Sequence, residues 1–231
     1  MPHNWESCFL LHARSFGDTS IIADIFTQSS GKLSIMAKGA KNPRSKFFGH
    51  LVPFSELRII VTGKSEMKTL TQIDSSFASQ SSKGPHDLYT YLYVNELMIR
   101  LLPKGLPNQE LYDLYKNFVE LARADVISEI DLRAFELELL EVLGYGINFD
   151  TDIKNNSEFK DSIIYSYIPE KGFYNAGDAD GFSSQEIFAI KNRELEKIDK
   201  VKLKQLLLMA INACLDGRDL SSREIFKKIR I

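Results

Sequence analysis

The stretch Lys32-Leu33-Ser34-Ile35-Met36-Ala37, running straight into Lys38-Gly39-Ala40-Lys41-Asn42-Pro43-Arg44-Ser45-Lys46, decides how this chain is read. Its first half alternates, with Leu33, Ile35 and Ala37 on one side and Lys32, Ser34 and Lys38 on the other, the period of a strand with one packed and one wet face. Its second half cannot continue that strand, because Gly39, Pro43 and Ser45 supply turns between the cations Lys38, Lys41, Arg44 and Lys46. A polyanion is well met by cations on a segment released from strand and helix pairing, so nucleic acid is the first partner this loop suggests.

Working outward, Leu57, Ile59 and Val61 alternate with Glu56, Arg58 and Thr62, a second half-buried strand. Phe9 to Ala13 and Ile21 to Phe26 are more continuously apolar, as inner strands of a closed barrel would be, and Met67 to Ile73 has the weakest pattern. Gly17-Asp18, Ser29-Ser30-Gly31 and Thr62-Gly63-Lys64 are short enough for hairpin turns, which predicts antiparallel neighbours. The expectation is a five-stranded barrel over residues 1–78 whose only long connection is the basic loop. Ser75 to Gly84, with five serines and no apolar run, reads as a linker.

From 84 to 231 the pattern becomes helical. Asp87 to Leu102 stops before Pro103, Asn108 to Ala124 is a second helix, and Glu129 to Leu143 a third, with Ser128 and Asp131 as its capping pair and Gly144 at its end. Ile163 to Tyr174 reads as a small hairpin around a Pro169 to Gly172 turn, within a segment near 150–178. Ser183 with Glu186 starts another helix, Leu203, Leu207, Ala210 and Cys214 form the longest apolar stripe, and Ser221 with Glu224 starts a final short helix. The fold class is α+β.

Average composition conceals the charge pattern. The 231 residues are 44% hydrophobic and carry 29 basic against 31 acidic side chains, a formal net charge of −2. Between Gly31 and Lys68, eight basic residues (Lys32, Lys38, Lys41, Arg44, Lys46, Arg58, Lys64, Lys68) face only Glu56 and Glu66, a formal +6. Between Gly84 and Asp150 twelve acids outnumber Arg100, Lys104, Lys116, Arg123 and Arg133. That reversal suggests two domains with different tasks. No apolar run approaches the roughly 20 residues of a membrane span, and Glu6 stands where a secretory signal would be basic. Cys8 and Cys214, far apart and at core-like positions, read as small buried hydrophobes rather than a disulfide. A cytoplasmic protein that avoids the membrane is expected.

A search for reactive constellations constrains the answer by failing. Gly63-Lys64-Ser65 resembles the end of a phosphate-binding loop, but Arg58 stands where that loop needs its first glycine and strand-like alternation follows. His3, His12, His50 and His86 are scattered, and no paired cysteines or Gly-x-Ser-x-Gly elbow occur. Glu136, Glu138 and Glu141 have the spacing of a solvated helix face. No enzyme, metal or cofactor is expected. The barrel and basic loop instead have the parts of a single-strand groove, with Phe47 and Phe48 either stacking on bases or packing in the core. A protein-interaction adaptor, whose loop only keeps it in solution, is the competing reading.

Ordered landmarks along nearly the whole chain carry a resemblance to a known family. They are Leu10-Leu11-His12-x-Arg14, Thr19-Ser20, Phe26-Thr27, Gly31, Ala37-Lys38-Gly39-Ala40, Leu51-x-Pro53-Phe54 and Lys68-Thr69-Leu70, then Asn95-Glu96-Leu97, Leu132-Arg133-x-Phe135-Glu136-Leu137, Leu143-Gly144-Tyr145-Gly146, Gly172-Phe173 and Ser222-Arg223-Glu224. In this order and spacing the sequence resembles the bacterial recombination mediators of the RecO family. The resemblance implies an N-terminal oligonucleotide-binding (OB) barrel, a helical C-terminal domain, and DNA repair and recombination without catalysis. It implies binding of single- and double-stranded DNA, annealing of complementary strands, and help in loading RecA onto DNA coated by single-stranded DNA-binding protein, together with RecR, at the nucleoid.

Carried over by motif, Lys38 matches the lysine of the family's basic loop, and Lys41, Arg44 and Lys46 take the following DNA-contacting positions. Arg133 matches the arginine of Leu-Arg-x-Phe-Glu, on the helix that in the family borders the pocket for the acidic C-terminal tail of single-stranded DNA-binding protein. The alternative at that position is an intrahelical pair with Glu129. Many family members have a four-cysteine zinc module after Leu-Gly-Tyr-Gly; Asn148 to Phe173 contains no cysteine, which implies a metal-free remnant there.

Overall fold

A computed structural model describes residues 5–75, 85–124, 126–177, 180–215 and 217–223. The chain forms two compact units, Met1–Asp125 with Leu220–Ile231, and Val126–Asp219. In the first unit, β1 (Glu6–Phe16), β2 (Ser20–Thr27), β3 (Gly31–Ala37), β4 (Glu56–Thr62) and β5 (Met67–Asp74) close a barrel in the order β1-β2-β3-β5-β4. The architecture is thus the expected α+β one, a five-stranded barrel followed by helices.

The three hairpins are antiparallel as their turns predict, and β1 closes on β4 antiparallel as well. One pairing departs from the all-antiparallel expectation: Ser34, Ile35 and Met36 of β3 run parallel to Met67, Lys68 and Thr69 of β5. No hairpin joins these strands, so turn chemistry could not reveal their direction. Inward residues Cys8, Leu10, Ala23, Ile25, Ile35, Ala37, Leu57, Ile59 and Leu70 fill the barrel, and Ala40 and Phe47 reach in from the basic loop.

Helices α1 (Pro85–Leu101) and α2 (Gln109–Ala124) cover part of the barrel's outer surface, which explains the nearly continuous apolar character of β1 and β2. Phe9 and Phe26 point away from the barrel interior and meet Tyr112 and Tyr115, with ring centroids 5.1 to 6.4 Å apart. The buried Asn95 amide donates to the carbonyl oxygens of Leu11 (2.7 Å) and Leu10 (3.4 Å) where β1 bulges, and the Tyr115 hydroxyl donates to its oxygen at 2.5 Å. Burial pushes the Tyr115 phenol upward, so it stays a donor. Lys32 is likewise withdrawn from the surface, its ammonium donating to the Ile99 carbonyl at 2.6 Å near the end of α1. Glu96 accepts from the backbone N–H groups of Ser221 (2.9 Å) and Ser222 (2.8 Å), holding the start of the last turn, while Glu224 and most of the serine linker lie outside the described residues.

The second unit contains α3 (Glu129–Val142), a sheet of β6 (Ile164–Ile168), β7 (Gly172–Asn175) and β8 (Phe182–Ser183), then α4 (Ser184–Lys191), a 3-10 turn and α5 (Lys200–Cys214). Ser128 with Asp131 and Ser183 with Glu186 form the two capping boxes read from sequence. The expected hairpin gains a third strand because β8 pairs with β6. Of the two cysteines, Cys8 is buried, but Cys214 at the end of α5 is only partly so, which corrects its placement in the core.

Candidate nucleic-acid interface

The basic loop is a succession of tight turns rather than a slack tether. Asn42 N–H donates to Gly39, Ser45 N–H to Asn42 and Phe48 N–H to Ser45, while the Asn42 side chain accepts from Arg44 N–H at 2.9 Å. Ala40 and Phe47 anchor it in the barrel core. Gly39 takes φ +70°, a left-handed turn that favours glycine. The backbone is therefore held while the cationic side chains project.

Lys38, Lys41, Arg44 and Lys46 are all exposed, and among the described residues none forms an ion pair with a carboxylate. The Lys41 ammonium donates to the Gly17 carbonyl at 3.2 Å and its backbone N–H to the Thr19 carbonyl at 2.9 Å, which ties the loop to the β1–β2 turn. Lys46 lies over the Phe47 ring, 5.2 Å from its centroid. The two phenylalanines divide, since Phe47 is 7% exposed in the core and Phe48 is 50% exposed. Four cations on a turn-braced loop thus project at this end of the barrel without an ion-paired carboxylate among the described residues.

Arg133 has a different environment. It is 8% exposed, and its Nη1 donates to the fully buried carboxylate of Glu136 at 2.6 Å, so the intrahelical partner is Glu136 and not Glu129. Its Nε is buried without a hydrogen-bond partner. Four and eight residues on, along the same side of α3, Leu137 and Glu141 line a groove with Gly146, Ile147, Phe149, Asp150, Lys191 and Arg193. Gly144, at φ +83°, turns the chain at the end of α3, and Tyr145 N–H donates to the Leu140 carbonyl at 2.8 Å, so 146–150 can run back past the helix. Two exposed ion pairs cross the rim, Lys191 with Asp150 at 2.7 Å and Arg193 with Glu141. The family resemblance pointed to Arg133 but did not reach Ile147, Phe149, Lys191 or Arg193, which no helical or strand period connects.

Among the described residues no group of three or more histidine, cysteine or acidic side chains is placed to hold a metal ion, and no helix is long and apolar enough to cross a membrane. Where the family's zinc module would stand, the buried Asp152 carboxylate accepts from Lys154 N–H, the Asn155 amide and Asn175 N–H, tying the 152–157 turn to β7.

A closed five-stranded barrel with an exposed cationic loop, followed by helices, is the architecture of a protein built on an oligonucleotide-binding barrel. Residues 1–77 match the family described as Recombination protein O N terminal, and residues 84–223 match Recombination protein O C terminal. The chain is 36% identical over 228 residues to the DNA repair protein RecO of Salmonella enteritidis PT4 and equally to that of Salmonella gallinarum, covering 97% of this chain and 94% of each relative. The chain belongs to the RecO family.

Proposed function

We propose that this chain is a non-catalytic recombination mediator of the cytoplasm that binds single- and double-stranded DNA through its barrel, residues 1–78, and anneals complementary strands. With RecR it helps load RecA onto DNA coated by single-stranded DNA-binding protein. The observation that carries this reading is the array of four exposed cations, without carboxylate partners among the described residues, on a turn-braced loop in a chain of the RecO family. Neutralising phosphates on two strands at once lowers the repulsion that opposes pairing.

The helical remainder, 84–231, would tether the mediator to the coating protein by its acidic C-terminal tail, raising local concentration at coated DNA. The groove beside Leu137 suits a terminal aromatic residue, with Ile147 and Phe149 as apolar walls and Lys191 and Arg193 as exchangeable partners for tail carboxylates. Arg133 acts from one turn behind Leu137, its guanidinium shared between Glu136 and an incoming carboxylate.

An annealing assay on complementary strands, bare and coated, tests the proposal. Acceleration in both states is expected, with loss of the coated-strand activity alone when the coating protein lacks its tail. No acceleration, with no saturable salt-sensitive DNA binding, would leave the adaptor reading in its place. Arg133→Ala removes one bonded partner of the buried Glu136 carboxylate, which costs up to about 3–5 kcal/mol, so tail-peptide affinity should be measured on Lys191→Ala and Arg193→Ala as well. Unchanged peptide binding in both surface variants removes the groove from the mechanism.

A further inference from the structure

We propose that Arg14 and Phe16, on the outer face of β1, form a base-stacking subsite for single-stranded nucleic acid that adjoins the basic loop. The inference rests on the DNA-binding reading above and assigns residues that the loop alone does not supply.

Register places the surface. After the bulge between Leu10 and His12, β1 pairs His12 with Asp24, Arg14 with Ile22 and Phe16 with Ser20, while β2 continues the rows to β3 by pairing Asp24 with Ser34 and Ile22 with Met36. Leu10, Ala23, Ile25 and Ile35 face the core, so His12, Arg14 and Phe16 stand on the opposite face, and all three are exposed. Nearer the start of β1 the outer face is occupied, since Phe9 packs against Tyr112 and Tyr115. At the hairpin end of this face His12, Arg14 and Phe16 stay exposed, although Ile22 opposite Arg14 is buried.

Phe16 is 51% exposed at the end of its strand. An exposed phenylalanine gains little for the fold, whereas a nucleobase can cover its ring. The turn beside it is fixed to the basic loop by the two Lys41 hydrogen bonds to Gly17 and Thr19, which brings Lys41 to the turn that Phe16 enters. Acids bound the path: Asp24, accepting from the Ser34 hydroxyl at 2.6 Å, lies opposite His12, and Asp18 sits in the turn. A strand is therefore directed from the Phe16 ring toward Lys38 and Lys41 rather than toward Asp24. Bases within a duplex are already stacked, so the ligand class is single-stranded DNA or RNA.

The test compares titrations of a fluorescent oligo-dT strand and a blunt duplex. Phe16→Ala should weaken single-strand binding by about 5- to 100-fold, leave duplex binding within about two-fold, and keep the salt slope, because no charge is removed. Phe16→Trp in a Trp5→Phe background should retain affinity, with tryptophan fluorescence quenched as the strand binds. Full single-strand affinity in Phe16→Ala, alongside a loop variant that has lost its salt dependence, overturns this subsite and leaves the nucleic-acid reading standing. Absence of DNA binding by the unaltered protein overturns both. Equal losses for single strand and duplex, together with a lowered melting temperature, would make the ring structural and overturn the subsite.

Discussion

Replacing Lys38, Lys41, Arg44 and Lys46 together by alanine is the most direct perturbation of the proposed interface, and its effect can be worked from the geometry. All four side chains are exposed and, among the described residues, free of carboxylate partners, so each is available for one phosphate. Each single-strand contact contributes about 0.7 to the slope of log affinity against log salt, so four contribute about 2.8. Between about 50 and 200 mM salt, the unaltered protein should lose some 50-fold more affinity than the variant. Lys41 is partly committed to the Gly17 carbonyl and Lys46 to the Phe47 ring. If only Lys38 and Arg44 reach phosphates, the slope difference falls to about 1.4 and the affinity ratio to about seven-fold. Fluorescence anisotropy with an oligo-dT strand at four salt concentrations measures this. Stability should barely change, since exposed substitutions usually stay within about 0.5 kcal/mol each and Ala40 and Phe47 still anchor the loop. A slope equal to that of the unaltered protein would refute the assignment of these cations to phosphates.

Three further outcomes test the frame that presents this loop. Asn95→Ala should destabilise the first unit by about 2–5 kcal/mol in urea denaturation, because the Leu11 carbonyl and the Tyr115 hydroxyl lose their partner; Asn95→Asp should be worse, since a carboxylate cannot donate to Leu11. Gly31→Ala should be far more damaging than Gly39→Ala. Both glycines have φ +70°, but a Cβ at Gly31 would lie 2.3 Å from the Leu106 carbonyl oxygen, whereas at Gly39 it meets open space and costs only about 1 kcal/mol of backbone strain. Burial alone would raise the Glu96 carboxyl, but the N–H groups of Ser222 and Ser221 with Arg100 outweigh it and hold the group below its usual 4.5. A depressed acid stabilises the fold above its unfolded value and loses that contribution as pH falls through the folded one. Melting temperatures should therefore drop more steeply in the unaltered protein than in Glu96→Gln below about pH 4.5, and parallel profiles would contradict the sign.

Local chemistry wrote much of this molecule into its sequence. The period-two patterns of β3 and β4, the hairpin turns, the capping boxes at Ser128 and Ser183 and the cationic loop could all be read because each depends on residues within a few positions of one another. What only the tertiary structure decided are the matters of distance along the chain. The parallel junction of β3 with β5, the helices lying over Phe9 and Phe26 and the assembly of Leu137, Phe149 and Arg193 around one groove belong to this group. The alternation of β1 shows the division most plainly. Its continuous apolar run told that both faces are packed near Phe9 but not what packs the outer one, and the exposed Phe16 shares a strand with it. Whether a side chain on a strand is core or surface depends on what the rest of the chain lays over that face, and burial is a property of neighbours that sequence order does not encode.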